Sequence, residues 1–149
     1  ELALKVLEKR LSPEKFLAQS KKIPGLTDFT EKNKGSSSNP KLRVLSMIGQ
    51  LMNYQHLLLR DLYDLSLPKL EEIKDAMLEA GASGGKISGA GLGGSLISLV
   101  DSDETGRKAL DAALSAGAKQ GWVSRVSTGA KIEDARGSKI QKILKSYLN

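Results

Sequence analysis

The sequence predicts an α+β fold: a mostly antiparallel sheet with helices packed on one side. Three observations predict it. Segments of helical period fill the first half of the chain. Two short β-type runs then flank a glycine-dense loop. After them come a helix, two further β-type runs and a closing amphipathic segment, an order of hairpin-like neighbours with one crossover.

Leu2, Val6, Leu7 and Leu11 recur at helical spacing, which predicts a helix over residues 2–10. Ser12-Pro13-Glu14 is a helix start, with Ser12 as N-cap and Pro13 at the first position, and the helix runs to about Ser20. Residues 21–40 are polar and rich in turn formers, so they read as loop or linker. Leu42, Leu45, Ile48, Met52, Leu59 and Leu62 form an apolar stripe over a helix from about Lys41 to Tyr63. His56 sits on or beside that stripe and reads as a partly buried structural histidine. Ser66 is the expected cap of the next helix, whose apolar face is Leu70, Ile73, Met77 and Leu78. Gly81 ends it in the left-handed position that glycine takes without a steric cost.

Residues 81–94 hold seven of the fifteen glycines, so the texture of the chain changes there. Gly85–Ser88 and Ser95–Val100 read as strands on either side of the loop. Asp101, Ser102, Asp103 and Glu104 supply a cap and first-turn acids for a helix to about Ala116. Trp122, Val123 and Val126 predict another strand, Thr128-Gly129 a turn and Ala130–Glu133 a final strand. Ile140, Ile143, Leu144, Tyr147 and Leu148 predict a last helix, packed on the sheet rather than on a membrane surface.

Composition narrows the chemistry. With 149 residues, 40% hydrophobic and 27% charged, one ordinary globular domain over 1–149 is expected, with 1–40 as short helices and linker and 41–149 as the α+β core. No cysteine is present, which removes disulfides, thiolate metal sites and cysteine nucleophiles. The single histidine argues against a zinc site, and no metal ligands are expected in this chain. No apolar run has the length of a membrane span and no signal peptide pattern opens the chain, so a cytoplasmic protein with no membrane partner is expected. The net charge of +6 lies mostly in residues 1–43, which carry ten Lys/Arg against five Asp/Glu. Only Phe16 and Phe29 lie there to stack on bases, so a nucleic-acid partner is not expected.

Three glycine patterns invite a phosphate reading. Gly89, Gly91 and Gly94 have the G-x-G-x-x-G spacing of a dinucleotide loop, but the residues that follow read as strand rather than helix. Gly81–Lys86 is one residue short of a P-loop, and Ile87 stands where the metal-binding hydroxyl belongs. Gly35-Ser36-Ser37-Ser38 sits among Lys, Asn and Pro and reads as linker. A glycine loop between two strands remains, with four glycines within residues 89–94. A tight hairpin needs one or two. The excess implies close approach to the backbone by phosphate or by a neighbouring loop that holds phosphate.

Gly81-Ala82-x-Gly84-x-Lys86-Ile87-Ser88-Gly89-Ala90-Gly91-x-Gly93-Gly94, followed by an apolar strand, resembles the third motif of the GHMP kinase superfamily. Upstream, Leu51-Met52-Asn53-x-x-His56-x-x-Leu59-Arg60-Asp61-x-Tyr63-x-x-Ser66-x-Pro68-x-Leu70 is similar to the galactokinase pattern within it. The resemblance covers about residues 44–133. It implies a ferredoxin-like C-terminal domain of a kinase that moves the γ-phosphoryl group of ATP·Mg²⁺ to a hydroxyl of a small metabolite, a sugar or mevalonate. It also implies that Ser88, Gly89, Ala90, Gly91, Gly93 and Gly94 line the nucleotide phosphate site as backbone donors and close-packing positions. The superfamily's P-x-G-x-G-L-S-S-S motif is not found, nor any segment matching its catalytic acid. Together with Glu rather than Met at position 1, this implies the C-terminal half of such a kinase, with no catalytic residue of its own, little nucleotide or Mg²⁺ binding alone, and the N-terminal half as its partner. Leu92 stands where galactokinases often carry Phe and mevalonate kinases often Gly. Galactokinase-like is the first reading, mevalonate kinase-like the second, and a non-catalytic interaction or regulatory domain of the same fold the third.

Overall fold

The structure is a computed structural model and describes residues 2–7, 11–26 and 39–126. Its elements are α1 (Leu2–Leu7), α2 (Pro13–Ser20), α3 (Pro40–Asp61), α4 (Pro68–Glu79), β1 (Gly84–Ser88), β2 (Ser95–Leu99) and α5 (Asp103–Ser115). The strand expected at 130–133, the closing helix and the serine run at 36–38 lie outside the described residues.

Local sequence starts and stops these helices as expected. Ser12 accepts the Lys15 N–H and Pro13 opens α2. Asn39 caps α3 through the Lys41 N–H, with Pro40 at its first position. Ser102 caps α5 through the Thr105 N–H. At the end of α4, Gly81 takes φ +105°, its N–H reaches the Leu78 carbonyl, and the Ala82 N–H reaches Met77. That pair of bonds satisfies carbonyls the helix end would otherwise leave open. Ser66 behaves differently from the expectation. Leu67 occupies the N-cap position of α4 with no side-chain cap bond, and the Ser66 hydroxyl is spent on Glu71 instead.

The two strands form an antiparallel hairpin in the register Gly84↔Leu99 through Ser88↔Ser95. α4 and α5 cover it with one core cluster, in which Ile73, Met77, Ala82, Ala109 and Ala113 are buried and Leu96 and Val100 pack from β2 and its end. A second cluster of Val6, Leu11, Phe16 and Met47 fastens α1 and α2 to α3. Pro24 reinforces it: its carbonyl accepts the Tyr54 hydroxyl at 2.7 Å.

α3 seats on β1 without an apolar stripe at the contact. Its buried residues are Met47, Gly49, Gln50 and His56, while Leu42 and Leu62 of the expected stripe are exposed. The reason is backbone contact. A Cβ on Gly49 would lie 2.0 Å from the Ser83 carbonyl oxygen, and a Cβ on Gly84 2.3 Å from the Gly49 carbonyl oxygen. Only glycine at both positions lets helix and strand approach so closely. One and two turns further on, α3 bonds the edge of β1 that β2 does not use. Asn53 Oδ1 accepts the Gly85 N–H at 2.8 Å, and His56 Nδ1 accepts the Ile87 N–H at 3.3 Å.

The strand expected at Trp122–Val126 does not form. Those residues have no regular secondary structure, with Trp122 76% and Val126 98% exposed. Their β-branched composition has no partner ladder here, and strand propensity without pairing does not make a strand. The segment runs beside α5 instead. Val123 sits over Gly106, where a Cβ would meet it at 2.9 Å, and the Arg125 guanidinium pairs with Asp103. Among the described residues no helix is long and apolar enough to cross a membrane.

Candidate functional site

The hairpin turn between β1 and β2 is the glycine loop. Ser88 ends β1, half-buried and paired with Ser95. The chain then enters left-handed backbone almost continuously: Gly89 has φ +88°, Gly91 +81°, Leu92 +54°, Gly93 +113° and Gly94 +115°. Gly89, Ala90, Gly93 and Gly94 are exposed.

The loop glycines separate into two kinds. A Cβ on Gly89, Gly93 or Gly94 would meet nothing within 4 Å. A Cβ on Gly91 would stand 2.7 Å from both the Cβ and the carbonyl oxygen of Leu65. Gly91 is therefore required by packing within the chain, against the turn between α3 and α4. The Leu65 carbonyl also accepts the Leu92 N–H at 2.9 Å. That bond holds Leu92 in a conformation costing a branched side chain about 1–2 kcal/mol, with its side chain 61% exposed. Among the described residues, the Leu92 N–H is the one amide between Gly89 and Gly94 that has a partner. The other amides of the loop are uncommitted donors on a surface bare of side chains. Such an arrangement suits the oxygens of an anion that approaches the backbone.

Behind the loop lies a polar cluster that composition and spacing did not reveal. Glu71 Oε1 accepts the Ser66 hydroxyl and, at 2.7 Å, His56 Nε2. Glu71 Oε2 accepts Lys74 Nζ at 3.1 Å and lies 3.5 Å from Arg60 Nη1. Since the Ile87 amide is a donor, His56 Nδ1 carries no proton and Nε2 donates to Glu71. His56 is 2% exposed with both ring nitrogens bonded, so the structural reading of this histidine stands. Burial works against ionisation of Glu71, but the hydrogen bonds from Ser66, His56 and Lys74 outweigh it and hold its carboxyl down at about 2. Glu71 and Leu65 carry no motif that spacing alone makes legible, whereas Asn53, His56, Arg60 and Ser66 all stand in the galactokinase-like pattern without a role assigned by it. The Ser66-to-Glu71 contact joins a turn to the first turn of the helix that follows it, and only the path of the chain between them brings the two together.

No group of three or more His, Cys, Asp or Glu side chains among the described residues is placed to hold a metal ion. The loop itself contributes no carboxylate.

Residues 39–119, more than half of the chain, match the family described as GHMP kinases C terminal. The match begins at the cap of α3 and ends just beyond α5, so it takes in the hairpin, the loop and the cluster behind it. The chain is 42% identical over 58 residues to a galactokinase of Roseiflexus sp. (strain RS-1), covering 38% of this chain and 15% of that protein. It is 44% identical over 54 residues to a galactokinase of Bacillus subtilis (strain 168), covering 36% of this chain and 14% of that one. It is 43% identical over 60 residues to a galactokinase of Chloroflexus aurantiacus, covering 40% and 15%. The chain thus spans about 15% of the length of these curated relatives. No solved structure matches it. Its α+β architecture and the family match agree, and the chain belongs to the GHMP kinases, with the family's C-terminal domain over residues 39–119.

Proposed function

We propose that this chain is the C-terminal part of an ATP-dependent kinase that transfers the γ-phosphoryl group to a hydroxyl of a small metabolite, a sugar in the manner of galactokinase. In this reading Ser88, Gly89, Ala90, Gly91, Gly93 and Gly94 form one wall of the phosphate site, and residues 1–149 act as one domain beside an N-terminal half. The observation that carries the reading is the loop: uncommitted amides at Gly89, Ala90, Gly91, Gly93 and Gly94, with open space at three of the glycine Cβ positions. The galactokinase relatives support the choice of a sugar. Phosphoryl transfer depends on positioning and charge neutralisation, and preorganised backbone donors supply both without reorganising at the moment of reaction. No group of three or more His, Cys, Asp or Glu among the described residues is placed to hold a metal ion, and in this reading the N-terminal half holds most of the ATP and its Mg²⁺.

The test is ADP release by a polypeptide joining this chain to the N-terminal half of the kinase, offered galactose, mevalonate or homoserine in turn. Turnover with galactose is expected, and none from this chain alone. Gly93→Val, which adds bulk where the loop is open, is expected to depress turnover while the circular dichroism stays unchanged. Full activity in a folded Gly93→Val enzyme would exclude the loop from the phosphate site. Failure of all three metabolites, with ATP binding also absent, would replace the small-molecule kinase reading with that of a non-catalytic interaction domain.

A further inference from the structure

The glycine loop has too few side chains to hold its own shape, and the structure shows what holds it. Two contacts reach it from outside the hairpin. At its middle, the Leu65 carbonyl takes the Leu92 N–H at 2.9 Å, and the rest of Leu65 fills the space that Gly91 leaves. At its start, the N–H of Ile87, one residue before Ser88, is held by His56 Nδ1 at 3.3 Å. Both contacts lead to one carboxylate. Ser66, the residue after Leu65, donates its hydroxyl to Glu71 Oε1, and His56 donates Nε2–H to the same oxygen at 2.7 Å. The second oxygen is occupied by Lys74 at 3.1 Å, with Arg60 3.5 Å away, so Glu71 cannot turn away without abandoning a cation.

We propose that Glu71 is the positioning residue of the glycine loop: through Ser66 and Leu65 on one arm, and His56 and Ile87 on the other, its carboxylate fixes where the loop amides lie. The functional half of this statement rests on the loop being a wall of the phosphate site. Glu71 is remote from any reacting atom in this scheme and acts only through other residues. Two strained positions make such a brace necessary. Leu92 and Asp64 both hold left-handed backbone, at φ +54° and +52°, in the loop and in the turn that faces it. Strain of this kind persists only where the surroundings over-determine it. Released from Ser66, the 62–67 turn has no side-chain tie to α4 at Glu71, and Leu92 is free to leave the left-handed region.

The experiment uses this chain and measures amide hydrogen exchange residue by residue in the wild type, Ser66→Ala, Ser66→Thr and Glu71→Gln. The Ala116 N–H, bonded to the Ala112 carbonyl at the C-cap of α5, serves as the reference amide away from the loop. Ser66→Ala is expected to speed exchange at Leu92 by about tenfold while Ala116 is unchanged. Ser66→Thr, which keeps the hydroxyl, restores it. Glu71→Gln speeds exchange at both Leu92 and Ile87. Equal Leu92 exchange in the wild type and Ser66→Ala, or a change that Ala116 follows in proportion, would overturn the brace. Inorganic triphosphate is then titrated into the polypeptide that joins this chain to the N-terminal half of the kinase, while the amide signals of Gly89, Gly93 and Gly94 are followed. Signals that move in the wild type, with binding several-fold weaker in Ser66→Ala, support the functional half. Signals that move with equal affinity in both proteins overturn it. Wild-type signals that never move withdraw the phosphate-wall reading and that functional half with it, while the exchange data still decide the brace.

Discussion

Gly89→Ala and Gly91→Ala form a matched pair that isolates the contact between the loop and the 62–67 turn. Both glycines have left-handed φ, +88° and +81°, so alanine at either position costs about 1–2 kcal/mol in backbone strain. Beyond that the two sites differ. A methyl at 89 meets nothing within 4 Å, whereas at 91 it stands 2.7 Å from the Leu65 Cβ and carbonyl oxygen. That oxygen is backbone and accepts the Leu92 N–H at 2.9 Å, so withdrawing it breaks a hydrogen bond. Forcing a methyl into a filled site costs about 1–3 kcal/mol, and the lost bond about 1 kcal/mol. Relief by one route reduces the other, so the expected gap between the two variants is about 2 kcal/mol. Urea denaturation followed by circular dichroism reads it as a difference in midpoint at constant slope. Equal destabilisation would refute the reasoning. It would mean that the turn yields without resistance and that Leu65 does not brace the loop.

The remaining expectations concern the helix–strand seat and the carboxylate behind the loop. Gly49→Ala places a methyl 2.0 Å from the Ser83 carbonyl oxygen, with backbone on both sides. It is expected to cost at least about 3 kcal/mol, at the upper end of overpacking, read as a collapse of the urea midpoint or as failure to fold. Asn53→Ala leaves the Gly85 N–H without its acceptor and is expected to cost about 1–3 kcal/mol, with faster hydrogen exchange at Gly85. The Glu71 carboxyl is held at about 2 against an ordinary 4.5. Its folded value lies below its unfolded one, so its contribution is fully present above about pH 4.5 and is lost as the pH falls toward 2. That contribution is on the order of 3 kcal/mol. Wild-type stability measured from pH 6 to 2.5 is therefore expected to fall more steeply than that of Glu71→Gln. Parallel curves would show that Glu71 is not held ionised by its partners.

What the sequence disclosed and what it withheld divide along a physical line. Ser12-Pro13, Gly81, Ser102 and the glycine loop are local signals: a cap, a left-handed stop and a turn act on their own few residues, and each works in the structure where its spacing places it. The seat of α3 on β1 is not local. It depends on Gly49 and Gly84, thirty-five positions apart by their numbers, each glycine only because the other chain segment lies against it. Apolar periodicity pointed to the stripe of Leu42, Leu45, Ile48, Met52, Leu59 and Leu62, yet the close approach to β1 is made at Gly49 and its hydrogen bonds by Asn53 and His56, because a strand edge asks a helix for hydrogen-bond acceptors rather than for hydrocarbon. Trp122–Val126 shows the converse, since β-type residues form no strand where no ladder receives them. The loop combines both cases. Its glycine count was legible and suggested an approaching phosphate or a neighbouring loop that holds phosphate. The structure divides that suggestion among the glycines: Gly91 answers to Leu65, while Gly89, Gly93 and Gly94 face open space that no part of the described chain fills. Positive φ alone accounts for glycine at those three positions. It does not account for so many left-handed residues in a hairpin that one or two would close. Under the phosphate-wall reading proposed above, that surplus bares the loop backbone to a ligand, and the triphosphate titration tests that reading.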